Sequence, residues 1–137
     1  MGTEIHWLAV IAAGVAAFVV GGVWYSALFG KIWMAARGMT AESMAGAKGN
    51  VGMMFSLTFV LDLVMAFFLD HVLGTYQPQP DLGLSLMIAG GLALGFVIPA
   101  MVVNYLYQQA KPNLFLIDGG HWLVVFLVMG AVLNLLS

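Results

Sequence analysis

Three ionisable side chains, Asp62, Asp118 and His121, stand inside long apolar stretches, where an unsolvated charge costs at least ~2.5–3.5 kcal/mol on insertion scales. Each therefore needs a reason to be there. Asp118 and His121 lie at i, i+3 spacing, which puts them on one helical face within reach of each other. That pair reads either as a structural hydrogen bond or as a functional site. Asp62 sits about eleven residues into its stretch, hence roughly 16 Å deep at 1.5 Å per residue. No cation stands beside it in the sequence. It can bond Thr58 one turn earlier, meet His121 or Asn104 from another helix, or carry its proton. Such unpaired carboxylates in hydrocarbon mark proton or cation pathways as a default expectation.

The remaining polar candidates sit at matching depth. Trp24, Tyr25 and Ser26 close the first apolar stretch, and Asn104 and Tyr105 close the third. If the helices form one bundle, Tyr25, Ser26, Asn104, Tyr105, Asp118 and His121 share one layer. Trp24, Tyr25, Tyr105, Tyr107 and Trp122 also suit a membrane-interface belt, where amphipathic rings settle. Trp24-Tyr25 before Lys31 repeats the spacing of Asn104-Tyr105 before Lys111, as a duplicated helix pair would.

Other chemistries lack their parts. The chain has no Cys, which excludes disulfides, thiolate metal sites and cysteine nucleophiles. No phosphate-binding Gly loop, HExxH or Ser/His/Asp signature occurs. His6 and His71 fall near the outer ends of their stretches and His121 near the inner side, so they do not suit two axial ligands of one haem. Ten scattered Met read as core filler. No cofactor and no metal are expected.

The elements that must position these groups are plain from composition. Of 137 residues, 63% are hydrophobic and 7% charged, far outside the range of soluble globular chains. About 20 apolar residues cross ~30 Å of hydrocarbon, and four stretches qualify: 5–29, 51–73, 82–107 and 114–136. Backbone groups in lipid must be satisfied internally, so these are helices. The expectation is one all-α domain, an integral membrane four-helix bundle running up-down-up-down. The apolar run from residue 5 exceeds a secretory signal core, Glu4 stands where a signal carries Lys or Arg, and Lys31 and Arg37 follow it. The first stretch is thus expected to remain as a span.

Charge gives the bundle a direction. Lys31, Arg37 and Lys48 fall in the loop 31–50 and Lys111 between the third and fourth spans, while no Lys or Arg occurs at either end of the chain or in the second loop. The positive-inside rule then places those two loops in the cytoplasm and Met1 and Ser137 outside it. Glu4, Asp70 and Asp81 gather at the outer face. Four basic residues are too few for a surface that tracks phosphates, so nucleic acid is not an expected partner. The first loop begins with Ile32-Trp33-Met34, suited to the headgroup zone, and Thr40 is placed to cap a short helix over 41–48. The Pro78- and Pro80-containing second loop makes the second and third spans neighbours. Pro99 is expected to kink the third.

Small residues at four-residue spacing mark where helices approach closely. Ala9, Ala13, Ala17 and Gly21 form one ridge, flanked by Gly22, Ser26 and Gly30, and Gly91 and Gly95 form a GxxxG pair. The facing helix could belong to this chain or to a second copy, so the expected partners are the lipid bilayer with either a homo-oligomer or a larger membrane complex.

The string from Gly22 to Trp33, with its Trp24-Tyr25-Ser26, Phe29-Gly30-Lys31 and Trp33, resembles a known family together with Gly95-Phe96, Pro99, Asn104-Tyr105 and the glycine-rich opening of the last span. It looks like the domain of unknown function 1761 family, and the likeness covers essentially the whole chain. Where relatives commonly carry Pro after the Trp-Tyr-Ser string, this chain has Ala27, and Asp118-Gly119-Gly120 replaces a string of Asn-Ala-Gly type. The resemblance implies a small bacterial four-helix protein of the inner membrane and supplies no activity. From the residues, the leading expectation is a proton- or cation-linked transporter or channel-like oligomer. The alternative is an accessory or assembly subunit without its own chemistry, and an enzyme centred on Asp118 and His121 lacks a recognisable nucleophile.

Overall fold

Helix accounts for almost the whole of the structure, a computed structural model that describes residues 5–38 and 51–137. Four stretches are long and apolar enough to cross a membrane: Trp7–Leu28, Gly52–Gly74, Leu82–Tyr107 and Pro112–Leu136. At 22 to 26 residues each runs about 33–39 Å. In detail, α1 (Trp7–Val23) passes into a π-helical turn (Trp24–Leu28), and α2 (Gly30–Arg37) follows. Then come α3 (Val51–Gly74), α4 (Leu82–Leu92), a second π-helical turn (Ala93–Val97), α5 (Ile98–Tyr107) and α6 (Pro112–Leu136).

All four long helices are apolar on every side, and packing sorts them. Half of α6 is buried, against 17–28% of the others. α6 is therefore the hub: α1 and α4 pack on it, and α3 leans chiefly on α1. The shared core joins Ala13 and Ala17 of α1, Ala66 and Leu69 of α3, Ala89 of α4, and Val125, Met129 and Leu133 of α6. Outward-facing Leu8, Met87, Phe96 and Leu116 are each more than 70% exposed, an apolar exterior that water does not favour.

The small-residue ridge of α1 lies inside the bundle. Ala9, Ala13 and Ala17 are completely or almost completely covered, and a Cβ on Gly21 would stand 3.3 Å from His121 Nε2. The GxxxG pair does not pack here, since Gly91 and Gly95 are exposed and meet nothing within 4 Å. The close approach of α4 to α6 is made at Gly130, where a Cβ would come 2.8 Å from Ala89 Cβ.

Two expectations about the ends need correction. The loop 31–50 is helical at its start, because α2 continues to Arg37 and stops only at Gly38 in the left-handed region (φ 71°). Its expected helix over 41–48, with Thr40, lies outside the described residues. Likewise the last helix begins at Pro112 rather than at residue 114, a proline at the first turn costing no hydrogen bond. At Pro99 the helix widens instead of simply kinking. Pro99 has no N–H for the Gly95 carbonyl and its ring crowds that carbonyl, and the π-helical turn Ala93–Val97 sits just ahead of it.

Polar groups at the end of the bundle where α1 begins and α3 ends find partners. Asp70 of α3, almost fully buried, accepts from the His6 backbone N–H at 3.2 Å and meets His6 Nδ1 at 3.0 Å. Asn134 Nδ2 donates to the Pro80 carbonyl at 2.9 Å and to Ser85 Oγ at 3.2 Å. The Asp81 carboxylate caps α4 through the Leu84 N–H.

Candidate functional site

The π-helical turn that ends the first long helix is what presents its aromatic residues to α6. The Phe29 N–H bonds back to the Trp24 carbonyl five residues earlier, and the extra residue per turn rotates Trp24 and Tyr25 inward. Such insertions recur at functional sites. Gly30 is required beside it, since a Cβ there would fall 2.5 Å from the Tyr25 carbonyl oxygen. Trp24 Nε1 donates to the Ile117 carbonyl at 2.9 Å. Its ring lies over Gly120, where a Cβ would come 3.0 Å from Trp24 Cζ2.

Immediately after Ile117, Asp118 is 4% exposed and accepts two hydroxyl hydrogen bonds. Tyr25 Oη donates to one carboxylate oxygen and Tyr105 Oη to the other. Tyr105 is brought round by the tight reversal after α5, where Gln109 takes a positive φ of 56° and the Ala110 N–H bonds the Tyr105 carbonyl. The two tyrosines that precede Lys31 and Lys111 at equal spacing thus converge on one carboxylate.

His121 is not Asp118's hydrogen-bond partner. Among the described residues the expected i, i+3 hydrogen bond is absent, and the donors that reach Asp118 are the two tyrosine hydroxyls. His121 instead packs its ring at 4.9 Å from Tyr25 and 4.8 Å from Trp122. It is 8% exposed, and its buried Nδ1 has no hydrogen-bond partner among the described residues.

Beside this ring opens a cavity of about 380 Å³ between α1, α3 and α6. Phe18, Gly21, Tyr25 and Ser26 line it from the first helix, Phe55, Thr58 and Asp62 from α3, and His121 and Trp122 from α6. Asp62 is 4% exposed, and no hydrogen-bond donor reaches it among the described residues. The Thr58 hydroxyl, one of its expected partners, donates to the Met54 carbonyl at 2.7 Å instead. On the other side of Asp118, Tyr105 lines a cleft of about 320 Å³ with Arg37, Gln108 and Lys111. Tyr25 faces one space and Tyr105 the other, with the carboxylate between them.

A family model described as a protein of unknown function, DUF1761, matches residues 8–134. The chain belongs to that family. Comparison with curated proteins and with solved structures returned no match. The DUF1761 match takes in every residue of the cavity and of the Tyr–Asp–Tyr bridge.

Of the polar candidates in this DUF1761 protein, the structure brings Tyr25, Tyr105, Asp118 and His121 together and places Asp62 on the same cavity as Tyr25 and His121. Ser26 reaches only the cavity rim, its hydroxyl turned back to the Gly22 carbonyl. Asn104 is exposed and stands apart. Sequence reasoning treated Trp24 and Trp122 as belt residues, whereas one docks α1 on α6 and the other walls the cavity. The Gly119-Gly120 pair was the available signal, because two glycines beside a helical aspartate leave room for a large ring. It also missed the His6–Asp70 contact, although both residues were assigned to the same end. Among the described residues no group of three or more His, Asp or Glu is placed to hold a metal.

Proposed function

We propose that this protein is an integral membrane protein of the bacterial inner membrane, a proton- or cation-linked transporter or channel-like protein that takes protons or cations at the Asp62 cavity and passes protons through the Tyr25–Asp118–Tyr105 bridge. The single observation that carries the reading is Asp62, a buried carboxylate that faces a cavity and has no donor among the described residues. In hydrocarbon such a group is retained for function far more readily than for stability. The bridge gives it an exit. A proton taken up by Asp62 crosses the cavity past His121 to Tyr25, whose hydroxyl accepts it while giving its own proton to Asp118; the Tyr105 hydroxyl then turns its proton away from Asp118, releases it, and takes the one that Asp118 holds. Tyr105 delivers it to the cleft beside Arg37 and Lys111.

The membrane course is part of the same reading. The apolar exterior and four helices of spanning length support insertion. The contact of His6 with Asp70 and of Asn134 with Ser85 at one end, with the tyrosine bridge at the other, supports an up-down-up-down course. The distribution of Lys31, Arg37, Lys48 and Lys111 supports cytoplasmic first and third loops, with both termini outside.

Flux of protons and of small cations into liposomes tests the reading, with wild type and Asp62→Asn compared. Wild type is expected to conduct and Asp62→Asn to fall to the lipid background; equal background flux in both refutes it. A second reading, an accessory subunit of a larger membrane complex, draws on one observation. Gly91 and Gly95 lie on an open face where another helix could approach closely. Recovery of a stoichiometric heterologous partner in mild detergent favours that reading, and a homo-oligomer the conducting one.

A further inference from the structure

The Asp62 cavity has a chemistry more selective than proton uptake alone requires. Its volume of about 380 Å³ falls within the range of small-molecule sites. Its walls are chiefly apolar and aromatic, with Phe18, Phe55, Tyr25 and Trp122 around one carboxylate. An anion is repelled there. A neutral apolar molecule, or a lipid tail, fills the volume but leaves an ionised Asp62 without a counter-charge, a costly state for a buried group.

A bare metal cation is equally ill served. Sodium or a divalent ion needs several oxygen ligands, yet among the described residues Asp62 is the one acid on this cavity, and its other side-chain oxygens are the uncharged hydroxyls of Tyr25, Ser26 and Thr58. A second copy of the chain has no basic side chain to insert at this depth, since all four Lys and Arg lie outside the long apolar stretches. What matches both the charge and the walls is a cation that carries its own apolar surface. Aromatic faces attract such a centre through their quadrupoles, and quaternary ammonium groups are recognised this way.

We infer that the cavity lined by Asp62, Phe18, Phe55, Tyr25 and Trp122 binds a monovalent organic cation of the alkyl- or arylammonium class. The inference rests on the conducting reading of the same cavity and names its cargo. One carboxylate fixes the charge at a single positive unit. His121, with its unpartnered Nδ1 on the same wall, adds a polar contact for a ligand that still carries an N–H.

Calorimetric titration of the full-length protein in lipid nanodiscs with benzyltrimethylammonium tests this, using neopentylbenzene, its neutral carbon isostere, as competitor. Saturable binding of the cation to wild type is expected, with no displacement by neopentylbenzene. Asp62→Asn is expected to weaken binding at least about tenfold, and Asp62→Glu to restore most of it. Trp122→Leu is expected to weaken it about three- to tenfold and Trp122→Phe to change it little. Size-exclusion behaviour and helical circular dichroism establish that each variant is folded. Absence of saturable binding to wild type, equal binding to Asp62→Asn, or full displacement by neopentylbenzene each overturns the inference. Asp62-dependent proton flux measured without the probe separates the two claims. Flux without cation binding overturns the organic-cation inference and spares the conducting reading, whereas cation binding without flux supports the binding site and overturns both that reading and the bound cation's role as cargo.

Discussion

Asp118 and Asp62 are buried to the same degree and live in opposite circumstances. Asp118 accepts from tyrosine hydroxyls on both oxygens, arriving from two other helices, and the indole of Trp24 bonds the carbonyl of the preceding residue, Ile117. Asp62 faces an apolar cavity with no donor among the described residues. A satisfied buried carboxylate holds a structure together, because its partners lose their acceptor if it goes. An unsatisfied one adds nothing to stability and is free to take a proton or a cation. The contrast separates a joint from a site within one bundle.

The largest effect that sharpens the contrast is expected from Asp118→Ala. It strands two tyrosine hydroxyls, each bond to a charged acceptor being worth about 1.5–3 kcal/mol in water and less against a membrane reference state. A stability loss of about 3 kcal/mol is expected in SDS unfolding titrations from mixed micelles. A loss below about 0.5 kcal/mol breaks the comparison, since Asp118 would then be no more structural than Asp62.

How much of this was legible beforehand divides along the same line. The four helices and their apolar exterior follow from composition and stretch length alone, because lipid-compatible backbone admits few alternatives. Depth at 1.5 Å per residue put Tyr25, Ser26, Asn104, Tyr105, Asp118 and His121 in one expected layer, of which the structure brings Tyr25, Tyr105, Asp118 and His121 together. Partnership within the layer was not legible. The i, i+3 rule offered His121 to Asp118, but rotation about the helix axis decides which groups meet, and the π-helical turn at Trp24–Leu28 resets that rotation. A one-residue insertion of this kind leaves no mark on an apolar pattern. Only Gly30, which a wider turn needs beside the Tyr25 carbonyl, hinted at it.

Gly30 gives the next effect in size. A Cβ 2.5 Å from the Tyr25 carbonyl meets backbone, which cannot swing aside, so Gly30→Ala is expected to cost about 2 kcal/mol as overpacking does. Gly22→Ala, with nothing within 4 Å, is the control and is expected to be neutral or to stabilise by about 0.5 kcal/mol. The same unfolding titration reads both. Equal behaviour of the two variants would mean that the π-helical turn does not hold the aromatic pair.

Smaller again are Tyr25→Phe and Tyr105→Phe, each deleting one donor and leaving the other on Asp118. About 1 kcal/mol each is expected. Because both bonds share one acceptor, the double variant is expected to depart from the sum of the singles by more than about 0.5 kcal/mol. Additivity within that margin would separate the two bonds and weaken the case for a joint.

Asp62→Asn should change stability least, within about 0.5 kcal/mol, even though the residue is as buried as Asp118. The amide keeps the shape of the carboxyl and removes a charge that no described residue offsets, so the folded state forfeits no bond. Any residual shift should be toward greater stability. The contrast then lies between readouts: full stability in the unfolding titration together with loss of liposome flux places the value of Asp62 in function rather than in folding. A destabilisation comparable with that of Asp118→Ala would instead show that Asp62 is held by contacts of its own, and the division of the bundle into a joint and a site would fail at the residue that defines it.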